Sequence, residues 1–352
     1  MTSSSPLLQV RDLEVVYASS SGRRQVRALA GIDLQVQTQE CMGLVGESGC
    51  GKSTLAKCLL GLVPAQQGSI KLSLPAEFRT RFPDLEQLWQ SRSGSKTDPG
   101  LELIGLSGKA WRAVRKAMGF VFQDPLASLD PRMRAWQIVT EPLAMHGLAS
   151  GKALRKKADQ LLDLVGLDTQ VALRYPRQFS GGQRQRLGIA RALALEPPLV
   201  ICDEAVSALD VSVQAQILTL LRELQQSRGT SFVFISHDLS VVKQIAQRTA
   251  VMYLGRIVEE GPSQDLFEDP WHPYSRALLE AVPQPQVAGR ERQWLVAGEA
   301  PSPANPPSGC SFHPRCPLAE DQCRRQFPPM IAATAPSRQA ACFQLSSGEI
   351  SQ

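Results

Sequence analysis

The residue types most suited to chemistry lie in one glycine-rich run. It reads Gly46-Glu47-Ser48-Gly49-Cys50-Gly51-Lys52-Ser53-Thr54. The spacing fits G-x-x-x-x-G-K-[ST], in which glycines let successive backbone N–H groups curl inward around phosphate oxygens. Lys52 would reach the β- and γ-phosphates, and the Ser53 hydroxyl would ligate Mg²⁺. Because an apolar run precedes the loop and a helical pattern follows it, the sequence predicts a nucleotide site.

Two carboxylates close a second apolar run. Leu199-Val200-Ile201-Cys202 is followed directly by Asp203 and Glu204. A fully buried parallel strand that delivers acids to its carboxyl end has this pattern. Asp203 would hold the Mg²⁺ shell, and Glu204 would orient or deprotonate an attacking water. The alternative is a solvated strand exit without a chemical role.

Three further polar side chains stand at the ends of predicted strands. Gln123 follows the run 118–122, and ligands bind at the carboxyl ends of parallel strands. His237 follows the run 231–236 and could contact a γ-phosphate, although a lone histidine is as often structural. Tyr17 ends the predicted strand 7–17 and could stack on an adenine or lie half-buried in its sheet.

A polar, glycine-containing segment opens a predicted helix that runs to about Leu195. It reads Ser180-Gly181-Gly182-Gln183. Ser180 is a natural N-cap, so a plain helix start would explain it. Two glycines in a first turn destabilise a helix unless a ligand or another backbone must come close. Further on, Asp210 ends a turn and could start the next helix.

Composition sets the broad class. The chain has 352 residues, 43% hydrophobic residues and a net charge of +5, with Lys and Arg scattered, which does not favour nucleic-acid binding. No apolar run approaches the ~18–20 residues that cross a bilayer, and the start lacks the pattern of a signal peptide. We therefore expect a cytoplasmic protein, in which eight cysteines argue against a disulfide framework.

Taken in chain order, these stretches resemble the ATPase subunits of the ABC family. The resemblance implies ATP and Mg²⁺ as cofactors, with Ser53, Gln123 and Asp203 around the metal. It further implies that Tyr17 stacks on adenine, that His237 contacts the γ-phosphate, and that Gln123 senses Mg²⁺ and water while touching a membrane partner. Two subunits of this family face each other head to tail. The segment Ser180-Gly181-Gly182-Gln183, with Asp210, would then act on the nucleotide of the facing subunit.

A narrower resemblance covers nearly the whole chain. The segments 122–133, 206–216 and 270–278 are similar to the dipeptide, oligopeptide and nickel importer ATPases. This implies a peripheral subunit of a peptide importer at the cytoplasmic face of the inner membrane. Its implied partners are two membrane permeases, a second, related ABC subunit and, indirectly, a solute-binding protein. The chain departs from the pattern at Phe179 (usually Leu), at Ala205 (usually Pro) and in a longer segment 71–110.

The expected fold is a RecA-like α/β phosphate-loop core with an N-terminal antiparallel β layer. This nucleotide-binding domain would span 7–262 and include a helical subdomain at about 125–180. An importer-type C-terminal extension would span 263–352. Within these, residues 79–100 mix charges with turn formers and predict a surface excursion, and the Pro-, Gly- and Ala-rich residues 281–309 predict a linker.

Four cysteines in the tail form a separate pattern, with His313 nearby as a predicted loop residue. They are Cys310, Cys316, Cys323 and Cys342. Thiols grouped in a cytosolic tail suggest a metal site, but the spacing is neither a C-x₂-C zinc pair nor a ferredoxin run. An iron–sulfur cluster, zinc and free thiols all remain open. The subfamily resemblance favours a [4Fe–4S] cluster, which some members hold.

Two other functions compete with transport. A soluble ABC protein of translation or DNA repair usually carries two nucleotide cores in one chain, and here there is one phosphate loop. A regulatory subunit that binds ATP without hydrolysing it would lack some catalytic positions, and here all are filled. The sequence therefore predicts a transport ATPase.

Overall fold

The computed structural model describes residues 5–18, 25–92, 100–281, 298–332 and 338–345. Its strands, in chain order, are β1 (Leu8–Ala18), β2 (Gln25–Val36), β3 (Cys41–Val45), β4 (Gln67–Leu72), β5 (Leu101–Glu102), β6 (Met118–Val121), β7 (Leu199–Asp203), β8 (Ser231–Ile235), β9 (Arg248–Tyr253), β10 (Arg256–Pro262), β11 (Ile331–Ala332) and β12 (Gln339–Ala340).

Helices separate and follow these strands. In chain order they are α1 (Lys52–Leu59), α2 (Ala76–Arg79), α3 (Pro83–Arg92), α4 (Gly108–Val114), α5 (Pro125–Ser128), α6 (Ala135–Met145), α7 (Gly151–Leu164), α8 (Gly181–Ala192), α9 (Val211–Arg228), α10 (Leu239–Ile245), α11 (Ser263–Glu268), α12 (Pro273–Glu280) and α13 (Asp321–Arg325). None of the helices in the described ranges combines the length and apolarity that a bilayer crossing requires.

The chain divides into two compact units. Unit one comprises Met1–Leu8, Gln35–Cys41 and Lys71–Ile235, and unit two comprises Gln9–Leu34, Met42–Ile70 and Ser236–Gln352.

Unit one contains three parallel strands beside a group of helices. β7 pairs with β6 on one side, Cys202 opposite Val121, and with β8 on the other, Asp203 opposite Ile235. Every residue of β7 and β8 is buried, as the continuous apolar runs predict for strands covered on both faces. Helices α5 to α8 pack on one another in this unit.

Unit two is built on β3, which is buried along its whole length. β3 runs parallel to β9, and β9 continues antiparallel into β10, β12 and β11. In the other sheet of this unit β1 lies between β2 and β4. The phosphate loop leaves the carboxyl end of β3 and enters α1.

The interpretation of residues 79–100 as a surface excursion was wrong for the part that the structure describes. α3 buries Leu85 completely and Trp89 almost completely. Arg79 covers Trp89, with its guanidinium 4.5 Å from the ring centroid, and pairs with Glu86 at 3.0 Å. Charged residues therefore cover an apolar face here instead of marking a loop. Residues 93–99 lie outside the described ranges, as does most of the predicted linker, 282–297.

Candidate functional site

The phosphate loop has the backbone that only glycine supplies easily. Gly46 and Gly51 have φ of +153° and +112°. A Cβ on Gly46 would lie 2.1 Å from the carbonyl oxygen of Met252, and one on Gly51 would lie 2.5 Å from that of Ala28. Both glycines are therefore required by conformation and by space. The close packing holds the loop in one shape.

Lys52 lies inside this loop with only 5% of its surface exposed. Its ammonium donates hydrogen bonds to the carbonyl oxygens of Gly46, at 2.7 Å, and Glu47, at 3.0 Å. A buried ammonium within a glycine-rich loop is suited to bind phosphate.

Glu47 of the loop has partners that sequence reasoning missed. The hydroxyl of Tyr274, on α12, accepts a hydrogen bond from the Glu47 backbone N–H at 2.8 Å. The guanidinium of Arg315 binds both oxygens of the Glu47 carboxylate, at 2.9 and 3.0 Å. Arg315 lies 268 residues further along the chain, so no local pattern could have indicated the pair.

In unit one, β7 ends with the two acids in different environments. Asp203 is 6% exposed at the last position of the strand, whereas Glu204 is half-buried just beyond it. Glu204 has φ of +48°, in the left-handed region that non-glycine residues rarely adopt. Its backbone N–H donates to the carbonyl oxygen of Ile235 on β8 at 3.0 Å, which holds this strained conformation.

Gln123 and Glu204 are brought together. Since β6 runs parallel to β7 in register, the residues just beyond the two strands reach the same edge. The Nε2 of Gln123 donates a hydrogen bond to Oε2 of Glu204 at 2.8 Å. An exposed amide thus holds the carboxylate that the sequence assigns to water activation.

The segment 180–183 makes a complete helix start. Ser180 Oγ accepts from the Gln183 backbone N–H at 3.3 Å, and Gln183 Oε1 accepts from the Ser180 backbone N–H at 3.0 Å. This capping box explains the serine and the glutamine by local structure. A Cβ on Gly182 would lie 2.4 Å from Cγ1 of Val213, so packing against α9 explains that glycine too. A Cβ on Gly181 would make only an ordinary contact, 3.5 Å from Leu209.

Asp210 caps α9, as its pattern predicts. Its Oδ1 accepts from the Val213 backbone N–H at 3.0 Å and from the Ser212 hydroxyl at 2.8 Å. These hydrogen bonds, that from Val213 first, lower the pKa of the Asp210 carboxyl below its usual value. The side chain is exposed and ionised at neutral pH.

His237 and Tyr17 lie in unit two. The backbone N–H of Ser236 donates to the carbonyl oxygen of Leu44 at 3.2 Å. The residue before His237 therefore lies beside β3, the strand that leads into the phosphate loop, and His237 is exposed there. Tyr17, the next-to-last residue of β1, is 40% exposed, which leaves its ring accessible for stacking.

The eight cysteines are all free. Those of the core, Cys41, Cys50, Cys58 and Cys202, are buried, as expected for small apolar side chains. The four of the tail line one small cavity together with His272, Phe312 and His313. Burial raises the pKa of Cys316 to about 12 and that of Cys342 to about 11. Among the described residues, no three His, Cys, Asp or Glu side chains form a group that could hold a metal ion.

A phosphate loop leaving a buried strand, with acids at the ends of parallel strands, defines a nucleoside triphosphatase of the phosphate-loop class. Comparison with known families makes this specific. The profile of the ABC transporter family matches residues 29–207, and that of the oligopeptide/dipeptide transporter C-terminal region matches 258–323. The chain belongs to the ABC transporter family and is an ATPase subunit of it.

Similar proteins extend over most of the chain. A probable peptide ABC transporter ATP-binding protein of Sinorhizobium fredii is 47% identical over 333 residues, which cover 93% of this chain and 87% of that protein. The oligopeptide transport ATP-binding protein OppF of Escherichia coli is 44% identical over 332 residues, 92% of each chain.

Solved structures agree with the fold. A dimeric ATP-binding cassette bound to ADP and Pi is 27% identical, with a TM-score of 0.59, over 73% of this chain and 98% of its own. The structure of cbiO1 from Clostridium perfringens, part of an ABC transporter complex, is 26% identical, with a TM-score of 0.60, over 76% and 92%. The predicted RecA-like α/β fold and the family are confirmed, and ATP with Mg²⁺ follows from the family.

Proposed function

We propose that this chain is the ATP-hydrolysing subunit of a peptide importer. The observation that carries the cargo class is the match of residues 258–323 to the oligopeptide/dipeptide transporter C-terminal region. The relatives from Sinorhizobium fredii and Escherichia coli are named as peptide and oligopeptide transport proteins, which supports the same assignment. The proposed location is the cytoplasmic face of the inner membrane.

The proposed roles at the nucleotide follow from the chemistry of each side chain. Lys52 and the loop backbone bind the phosphates, Tyr17 stacks on the adenine, and His237 contacts the γ-phosphate. Glu204 orients the attacking water and accepts its proton, with its carboxylate held by Gln123 at 2.8 Å. The strained backbone of Glu204 fixes where that carboxylate points.

Mg²⁺ would be held by oxygen donors. Asp203 supplies a nearly buried carboxylate, Ser53 a hydroxyl and Gln123 an amide oxygen, a donor set that suits this hard cation. When bound, the ion neutralises charge on the phosphate oxygens. The residues of this chain then orient water and hold its proton.

The proposed assembly has a second, related ABC subunit, two permeases and, indirectly, a solute-binding protein. Ser180, Gly181, Gly182, Gln183 and Asp210 would face the nucleotide of the second subunit. Gly181 supports this arrangement, because among the described residues outside its own helix backbone the nearest atom to its Cβ position, from Leu209, is at an ordinary contact distance of 3.5 Å. ATP binding would close the two subunits and hydrolysis would reopen them. Residues 7–262 form the nucleotide-binding domain of this proposal, and 263–352 form the extension.

The test is affinity capture of the tagged protein from gently solubilised native membranes, followed by mass spectrometry. Two polytopic permeases, a related ABC subunit and a peptide-binding protein are the expected result. Ribosomal or DNA-repair proteins without any permease would overturn the transport assignment while leaving the ATPase intact.

We further propose that the four tail cysteines hold an iron–sulfur cluster. All four thiols line one cavity. A cluster of several irons accepts thiolates spread around it. The raised pKa values mean that the metal must displace the thiol protons.

Iron and acid-labile sulfide analysis of anaerobically purified protein tests this second proposal. Iron and sulfide in matching amounts, with visible absorption lost in Cys323→Ser, are expected. Cys58→Ser is the matched control, because Cys58 is buried in the core away from the tail cavity and should leave the absorption unchanged. Two results would contradict the proposal. One is protein that contains zinc and no iron, and the other is protein that is purified without any metal and titrates eight free thiols after unfolding.

A further inference from the structure

Glu47, the second residue of the phosphate loop, is held at each of its polar groups. Its backbone N–H donates to Tyr274 Oη at 2.8 Å, and its carbonyl oxygen accepts from Lys52 Nζ at 3.0 Å. Its carboxylate forms a bidentate ion pair with Arg315. Two of these partners, Tyr274 and Arg315, belong to the tail and not to the loop or its strand.

Arg315 is itself held rigidly. It ends a 3-10 turn, His313–Arg315, and its side chain is 9% exposed, whereas that of Glu47 is 29% exposed. The guanidinium lies 5.9 Å from the ring centroids of both Tyr253 and Phe312, and it donates to the Tyr253 hydroxyl at 3.3 Å. These rings and that of Tyr274 pack on one another with centroids 4.5 to 5.4 Å apart.

The pairing solves an electrostatic problem. A carboxylate on a loop that receives phosphates repels them, and low exposure weakens the screening by water. A bidentate guanidinium removes that repulsion and also fixes the direction of the carboxylate. Burial alone would lower the pKa of Arg315, but its hydrogen bonds to Glu47 and Tyr253 outweigh this and raise it, so the cation persists at any physiological pH.

We propose that Arg315 is a positioning residue for nucleotide binding, which neutralises Glu47 and fixes the phosphate loop from the tail. The tail of the chain thereby sets the affinity for nucleotide. This inference rests on the proposed phosphate-binding role of residues 46–54. It goes beyond that role because it assigns part of the binding free energy to a residue 268 positions away from the loop.

The test measures ADP affinity of the full chain by titration calorimetry in the presence of Mg²⁺. Arg315→Met leaves the Glu47 carboxylate unpaired and should weaken ADP binding about tenfold. Glu47→Gln has no carboxylate that could repel phosphate and should bind ADP at least as tightly as the wild type. The double variant should return to within about threefold of the wild type, because no unpaired carboxylate remains.

Recovery of ADP affinity in the double variant would show that Arg315 acts by neutralising the Glu47 carboxylate and not merely by supporting the fold. If Arg315→Met binds ADP normally, or if Glu47→Gln does not restore its affinity, the inference is wrong. If Arg315→Met fails to fold, the single Glu47→Gln variant still tests the inference. Weaker ADP binding in Glu47→Gln would contradict the argument that the Glu47 carboxylate repels phosphate. Arg315→Lys keeps the charge but loses the bidentate geometry, and it should fall between wild type and Arg315→Met.

Two controls complete the design. Arg338 is another buried tail arginine, paired with Glu259 at 3.1 Å and stacked 4.0 Å from Trp271, but without a contact to the loop among its described partners. Arg338→Met should lower the melting temperature without a specific loss of ADP affinity. Lys52→Ala should abolish ADP binding. If it does not, the phosphate-loop assignment fails, and that outcome is distinct from a failure of the Arg315 inference alone.

Discussion

Gln123, just beyond the end of β6, donates a 2.8 Å hydrogen bond from Nε2 to Oε2 of Glu204, just beyond the end of the parallel strand β7. The amide therefore fixes the carboxylate that faces the attacking water in the proposed mechanism.

Removal of this amide should reduce turnover more than binding. We expect Gln123→Ala to lower kcat by about tenfold or more, since the carboxylate loses its orientation, while ATP affinity measured without Mg²⁺ changes little. Steady-state ATPase assays with a separate binding titration measure both. Gln90→Ala is the matched control, because Gln90 makes a similar 2.9 Å bond to Glu86 away from the site. Equal losses in both variants would argue against a specific role.

Gly181 offers a test of the facing subunit. The added methyl group of Gly181→Ala meets only an ordinary contact among the described residues, so the variant should fold normally. If another subunit approaches Gly181 closely, the ATP turnover of the assembled complex should nevertheless fall at least about tenfold. Gly188→Ala is the control in the same helix. Apart from its own helix backbone, none of the residues that the structure describes lies within 4 Å of its Cβ position, so the change should stabilise the helix by up to about 1 kcal/mol and keep turnover. Unchanged turnover in Gly181→Ala would count against the head-to-tail arrangement.

The loop conformation leads to a third prediction. Gly51→Ala would place a Cβ 2.5 Å from the carbonyl oxygen of Ala28 at φ of +112°, so the loop must move. We expect nucleotide affinity to fall at least about tenfold in a calorimetric titration. Gly147→Ala has a comparable positive φ, +68°, but open space, and should cost only about 1–2 kcal/mol of stability with normal binding. Normal binding by Gly51→Ala would contradict the geometry.

The features that sequence predicted are those encoded within a few neighbouring residues. The phosphate loop, the acids after β7 and the caps of α8 and α9 each depend on a short pattern and its flanking strand or helix. Their local structure follows from glycine geometry, strand burial and capping. The amino-acid sequence alone therefore suffices to predict which residues of these short patterns would contact a nucleotide.

The remainder depends on contacts between distant residues. Arg315 reaches Glu47 across 268 positions, and no periodicity relates them. The positive φ of Glu204 depends on a hydrogen bond to Ile235 on a separate strand. The sequence predicted a surface excursion at 79–100 from its charges, but Arg79 covers the ring of Trp89, which α3 buries.

The central claim is that Glu204 activates water for ATP hydrolysis at this site. The most direct test compares ATP turnover and ATP binding in Glu204→Gln and in the wild type. The amide keeps the size of the side chain but cannot accept the proton, so turnover should fall at least about a hundredfold while ATP affinity is retained. Lys52→Ala should lose binding itself, which shows that the titration reports on the phosphate loop. Wild-type turnover in Glu204→Gln would contradict the account.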